Sequence, residues 1–305
     1  MSNSLSHGRA VVLMVCAATL WSIAGVLTRH LDSAHGFEVT FWRSLFAALF
    51  VAGALLWQMK SRALANVLAL GRIGLLSSLM WATMFCCFMI ALTMTTVANT
   101  LIVMSISPLL TALLAWFFLR QRIASRTWVA IGVAFIGMSW MFAGGLSAVG
   151  GNPLFGMAIA LGVPLAASIN VIVMKRAGAR VDLIPAVLVG GVISALLMLP
   201  WILPLRLSQH DLAILIVLGF FQLGLPCMLM VWAARALSAP EIALLALIEV
   251  LLGPVWAWLW AAEVPTFETL TGGALVVAAL IFNELIALRR PDRQADATSS
   301  SGTAF

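Results

Sequence analysis

The sequence predicts an all-α polytopic membrane protein whose ten transmembrane helices form two inverted five-helix repeats. Three observations lead there. Of 305 residues, 63% are hydrophobic and 9% charged, with a mean hydropathy of +1.10; an ordinary soluble domain is about 25% charged. Apolar runs near the ~20 residues that cross a bilayer recur from end to end. The basic residues fall in alternate connectors, as membrane topology requires.

The runs place spans at 10–28, 37–57, 70–92, 96–118, 125–143, 152–174, 182–204, 211–234, 240–262 and 267–288. The first resembles a signal peptide, but its apolar run is too long and no small-x-small cleavage site follows, so it reads as a retained span. Short connectors leave no room for a soluble domain. Residues 291–305 are polar and read as a disordered cytoplasmic tail.

Of the 17 basic residues, all but Arg29, Arg43 and Arg206 lie on one side of this topology. The positive-inside rule then puts both termini in the cytoplasm, in a bacterial-type inner membrane. The net charge of +6 is explained by topology, with no nucleic-acid partner implied. Cys16, Cys86, Cys87 and Cys227 sit inside apolar runs without metal-ligand spacing, so no metal site or disulfide framework is expected.

Ten spans divide into two fives, and an odd-numbered unit inserts its second copy upside down. A shift of 146 residues lays Ser22-Ile23 on Ser168-Ile169, Arg29 on Lys175 and Pro108 on Pro254. The expected units are 1–147 and 148–290.

The stretches "ATLWSIAGVLTRH", "FWRSLFAALF", "ALTMTTVANTLIVMSISPLLTALLAWFFLRQR" and "ALSAPEIALLALIEVLLGPVWAWLWAAEVPT" resemble the ten-span drug/metabolite transporter superfamily, EamA type, over roughly residues 9–290. The resemblance implies two repeats and transport of metabolites, and the family often has glutamates at the positions of Glu249 and Glu263. Aromatic amino-acid exporters look nearest in character. Two positions depart from the pattern: Val250 stands where proline often follows the first glutamate, and Gln121 where the first repeat often ends in glutamate.

Glu249 is the central candidate. A carboxylate in hydrocarbon costs a few kcal/mol or more, so it faces the bundle interior, is protonated, or both. It is read as a proton carrier, as the receiver of a substrate ammonium, or as a hydrogen-bonded packing residue. Pro254 denies the carbonyl of Val250 its helical donor, and Gly253 thins the same helix. Pro254, Gly253 and the aligned Pro108 are therefore hinge candidates, with bends expected near Glu249 and Met104.

Further candidates for the substrate cavity follow from helical spacing. Thr100, Ser107 and Thr111 share a face of the fourth span, Trp81, Phe85 and Phe88 a face of the third, and Glu249 and Trp256 a face of the ninth. The hydroxyls either line a wet cavity or bond their own backbone. Ser22, Ser168 and Asn170 are weaker candidates. Arg43, in the second span, either meets Glu38 or a substrate carboxylate, or snorkels. Arg235 and Glu241 suggest a structural ion pair. Trp57, Trp201 and Trp260 suggest interfacial anchors.

The function expected is a secondary transporter that exports small organic metabolites by alternating access. Amino acids, aromatic or otherwise apolar, lead as substrates. A passive channel and a multidrug or organic-cation exporter are the alternatives. No P-loop or catalytic constellation is present, so neither an enzyme nor a cofactor is expected. The partners expected are substrate, protons and lipid, around a monomer.

Overall fold

The computed structural model describes residues 6–32, 36–60, 63–119, 125–146, 153–177, 183–203, 207–234, 236–237 and 239–289. Gln121, Arg235, the tail and the side chains of Lys175 and Glu241 lie outside the described residues. The described elements are helical, and they group into ten rods. These are α1 (His7–Ser22, then Ala24–Arg29), α2 (Gly36–Met59), α3 (Gly71–Met94), α4 (Val97–Met104, then Ser107–Leu119) and α5 (Ser125–Leu146). The second half supplies α6 (Pro153–Ala160, then Gly162–Ala177), α7 (Ile184–Met198), α8 (Gln209–Ala233), α9 (Ala239–Ala261) and α10 (Phe267–Arg289).

Seven described segments have both the length and the hydropathy to cross a membrane: those of α1 to α4 and α6 to α8. Leu245–Ala261 and Phe267–Asn283 are shorter apolar stretches within α9 and α10. Large apolar side chains such as Leu49, Leu75, Phe135, Leu196 and Phe282 point outward. That pattern suits lipid, where no hydrophobic drive favours hiding them. Trp57, Trp201 and Trp260 are exposed close to rod ends.

Packing between rods repeats when the two halves are exchanged. α1 lies against α8 and α9, while α6 lies against α3 and α4. α2 meets α7 and α8, and α7 meets α2 and α3. α5 pairs with α10. The aligned serines occupy equivalent seams. Ser22 accepts from Trp256 Nε1 across α1–α9 at 2.9 Å, and Ser168 accepts from Thr111 Oγ1 across α6–α4 at 3.1 Å. Five crossings deliver the chain to the opposite face, so the second unit starts inverted with respect to the first.

Small residues set the closest approaches. A Cβ on Gly272 of α10 would stand 2.5 Å from the carbonyl of Gly137 in α5. Gly253 lets α9 pass over Leu101 of α4, and a Cβ there would overlap that side chain. Such contacts replace hydrophobic driving force with dispersion between backbones.

Candidate functional site

Seven rods converge on a cavity of about 230 Å³. α3 contributes an aromatic wall of Trp81, Phe85 and Phe88, with Met84 beside it. These residues recur at three- and four-residue intervals, which keeps them on one helical face. Trp81 and Phe85 have ring centroids 5.6 Å apart. Trp21, Met104, Leu223, Cys227 and Met230 extend the apolar lining. Methionine is flexible and polarizable and adapts to irregular ligands.

The polar side chains on the wall are few: Arg43, Ser107, Asn170, Gln222 and Glu249. Arg43 and Glu249 are the one basic residue and the one carboxylic acid among these lining residues. Arg43 donates from Nε to Gln222 Oε1 at 2.9 Å, and its guanidinium lies 5.3 Å from the centroid of Phe88. Gln222 in turn donates from Nε2 to the carbonyl of Trp21 at 3.2 Å. Asn170 accepts from Ser77 Oγ at 2.7 Å. Glu249 is partly exposed.

Five of the sequence candidates lie off this wall. Trp256 shares a face with Glu249, but seven residues separate them by about 10.5 Å along the axis. Its ring stacks on Trp260 at 4.9 Å, and its indole N–H is spent on Ser22. Ser22 also donates to the carbonyl of Thr19, and Ser168 to those of Pro164 and Ser107. Thr100 is fully buried and donates to the carbonyl of Thr96; Thr111 donates to that of Ser107. Hydroxyls in helices commonly bond the preceding turn, and here that outcome holds for Thr100 and Thr111. Ser107 lines the cavity and still donates to the carbonyl of Met104 at 2.8 Å.

The two prolines behave differently. α4 is interrupted at residues 105–106, directly before Ser107 and Pro108. α9 runs as one helical segment through Pro254. Arg43 pairs with Gln222 instead of Glu38, whose Oε1 is buried without a hydrogen-bond partner.

Spacing gave no reason to single out Gln222 and Trp21. Gln222 lies in a π-helical stretch, Leu218–Gly224, within α8. Such bulges rotate side chains out of the ordinary register and recur at functional sites. The signal in the sequence was a lone amide in "LGFFQLG".

Where α1 ends, polar contacts join several rods. Arg29 binds Glu263 Oε2 at 2.9 Å, the carbonyl of Leu92 at 2.7 Å and that of Thr95 at 2.8 Å. Glu263 Oε1 accepts from the backbone N–H of Val97, capping the first turn of α4. Asn99 and Thr269 join α4 to α10 at 2.8 Å. Both residues of the Arg29–Glu263 pair are polar anchors near rod ends, and together they fasten α1, α3, α4 and α9.

Two copies of a five-span unit around a membrane cavity point to one family. The description "EamA-like transporter family" matches residues 8–143 and again 154–284. The chain belongs to the EamA-like transporter family, within the drug/metabolite transporter superfamily. Curated relatives of this EamA protein are named S-adenosylmethionine uptake transporters. That of Rickettsia felis is 24% identical over 84% of this chain and 86% of its own. That of Rickettsia prowazekii is 25% identical over 86% of this chain and 87% of its own. These names differ from the aromatic amino-acid exporters that the sequence suggested. A crystal structure with 17% identity covers 94% of this chain and 100% of its own with a TM-score of 0.65, a likeness of fold.

Proposed function

We propose that this EamA protein is a secondary transporter of a bacterial inner membrane, moving small amine-bearing metabolites through its central cavity by alternating access. Amino acids and their derivatives are the leading substrates. The carrying observation is Glu249 on a wall of aromatic and methionine side chains. A carboxylate flanked by aromatic faces recognises an ammonium group by charge and by cation–π attraction. S-adenosylmethionine, named for the relatives, is an amino-acid derivative with a cationic sulfonium, so it suits the same lining. Amino-acid export and uptake of such a derivative differ in gradient and coupling, and Glu249 is the group proposed to carry a coupling proton. The cavity is complete within one chain, which supports a monomer.

The test is counterflow into proteoliposomes with a panel of amino acids, S-adenosylmethionine and amphiphilic cations. Saturable counterflow of an amine-bearing substrate is expected. Stepwise single-channel currents without counterflow would replace the transporter with a pore. The glutamate and aromatic wall also favour a second reading, export of organic cations at large, which would show as equal exchange of cations lacking a carboxylate. Orientation has its own test. A cysteine at Gly150 should react with an impermeant reagent from outside, and one at Ser61 only after permeabilisation.

A further inference from the structure

The base and the acid of the cavity make no direct contact. Arg43 is 2% exposed, and in such surroundings each guanidinium N–H calls for an acceptor. Nε has one in Gln222, but Nη1 is buried without a hydrogen-bond partner. Among the described residues, ion pairs within 4.0 Å join Arg29 to Glu263 and His210 to Asp32 and Asp211. Arg43 and Glu249 form none, although both line the same cavity. A buried guanidinium N–H without an acceptor is costly. A ligand bearing a carboxylate and an ammonium satisfies Arg43 and Glu249 together.

The arginine is also held in place. Gln222 fixes Nε from one side and is itself bonded to α1 through the carbonyl of Trp21. Phe88 lies against the guanidinium. Gly219, in the same π-helical stretch as Gln222, brings α8 onto α2: a Cβ there would stand 2.9 Å from the carbonyl of Arg43. A planar guanidinium fixed along one edge offers its remaining N–H groups in a set direction, as carboxylate recognition requires.

We infer that the guanidinium of Arg43, which lines the cavity and keeps an N–H group without an acceptor, receives the carboxylate of the substrate, with Gln222 as the positioning residue. The substrate class is then the α-amino carboxylates, with the ammonium at Glu249 and the remainder against Trp81, Phe85 and the cavity methionines. This rests on the transport reading above and narrows it, because organic cations without a carboxylate leave Arg43 unsatisfied.

The experiment uses the wild-type protein in liposomes and compares amino acids with their decarboxylated amines: L-tryptophan with tryptamine, L-phenylalanine with phenethylamine, L-methionine with 3-methylthiopropylamine. For each exchanged pair, loss of the carboxylate should raise the half-saturating concentration about 10- to 100-fold, the range of a charge-assisted hydrogen bond. Equal exchange of acid and amine would overturn the carboxylate site and leave the transport reading standing. Exchange of no member of the panel would overturn both. Gln222→Leu keeps the arginine but removes its orienting acceptor, so it should shrink the acid-to-amine ratio. An equal loss for both members of a pair would mark Gln222 as merely structural. Arg43→Lys should retain part of the preference and Arg43→Gln none; an undiminished preference in Arg43→Gln would also overturn the site.

Discussion

α4 and α9 occupy equivalent places in the two repeats and carry the same proline, yet they are built for different ends. In α4 the pair is Ser107-Pro108; in α9 it is Gly253-Pro254. Pro108 leaves the carbonyl of Met104 without a helical donor, and the hydroxyl of Ser107 supplies one at 2.8 Å. The rod is broken there. Pro254 does the same to Val250, but Gly253 has no hydroxyl to offer and instead admits Leu101 of α4. Four residues before each of these positions stand Val103 and Glu249. Val103 is fully buried in a cluster with Met157 and Ala160, whereas Glu249 faces the cavity. The two similar rods thus present different side chains at matching positions, and only that of α9 lines the cavity with an acid.

The largest effect should come from the residue that most separates the two rods. Glu249→Gln keeps shape and hydrogen bonding but removes the charge. Binding of amine-bearing substrates should fall about 10- to 100-fold, as for a lost charge-assisted hydrogen bond. If Glu249 only carries a proton, counterflow persists and the pH dependence of concentrative transport disappears. Unchanged binding, counterflow and pH response would reduce Glu249 to a packing residue.

The prolines come next. Replacing either by alanine restores a backbone donor to the rod. Pro108→Ala should rejoin the two pieces of α4, and Pro254→Ala should stiffen α9. Exchange in proteoliposomes should slow several-fold while the folded yield holds, because conformational steps set many turnover rates. Full activity in both variants would make the prolines incidental.

Smaller effects concern stability. Gly253→Ala places a methyl group against the end of the Leu101 side chain, which must turn aside, and should cost about 1 kcal/mol, the low end of overpacking. Gly132→Ala, where no neighbour lies within 4 Å, is its control and should be near neutral. Ser107→Ala removes the substitute donor to Met104 and should cost about 0.5–1.5 kcal/mol. Thermal unfolding in detergent measures all three. A Gly253→Ala protein as stable as wild type would mean that α4 and α9 separate more easily than this packing implies.

Much of the cavity wall was legible before the fold. Arg43, Trp81, Phe85, Phe88, Ser107 and Glu249 stand out as polar groups in apolar spans or as aromatic faces, and the cavity gathers them. Gln222 and Trp21 did not, because a π-helical stretch shifts the register that spacing arguments assume. Trp256 failed for a different reason. Sharing a helical face says nothing about depth, and two turns of α9 carry it out of the cavity to Ser22.

By itself the sequence determined the membrane fold, the ten rods and the repeat register, because hydropathy and periodicity are local properties that a bilayer reads directly. Only the tertiary structure decided which hydroxyls reach the cavity, which proline lies at an interruption of its rod, and that Arg43 takes Gln222 as its hydrogen-bond partner. Those outcomes depend on where seven rods converge at one depth, and no single segment holds that information.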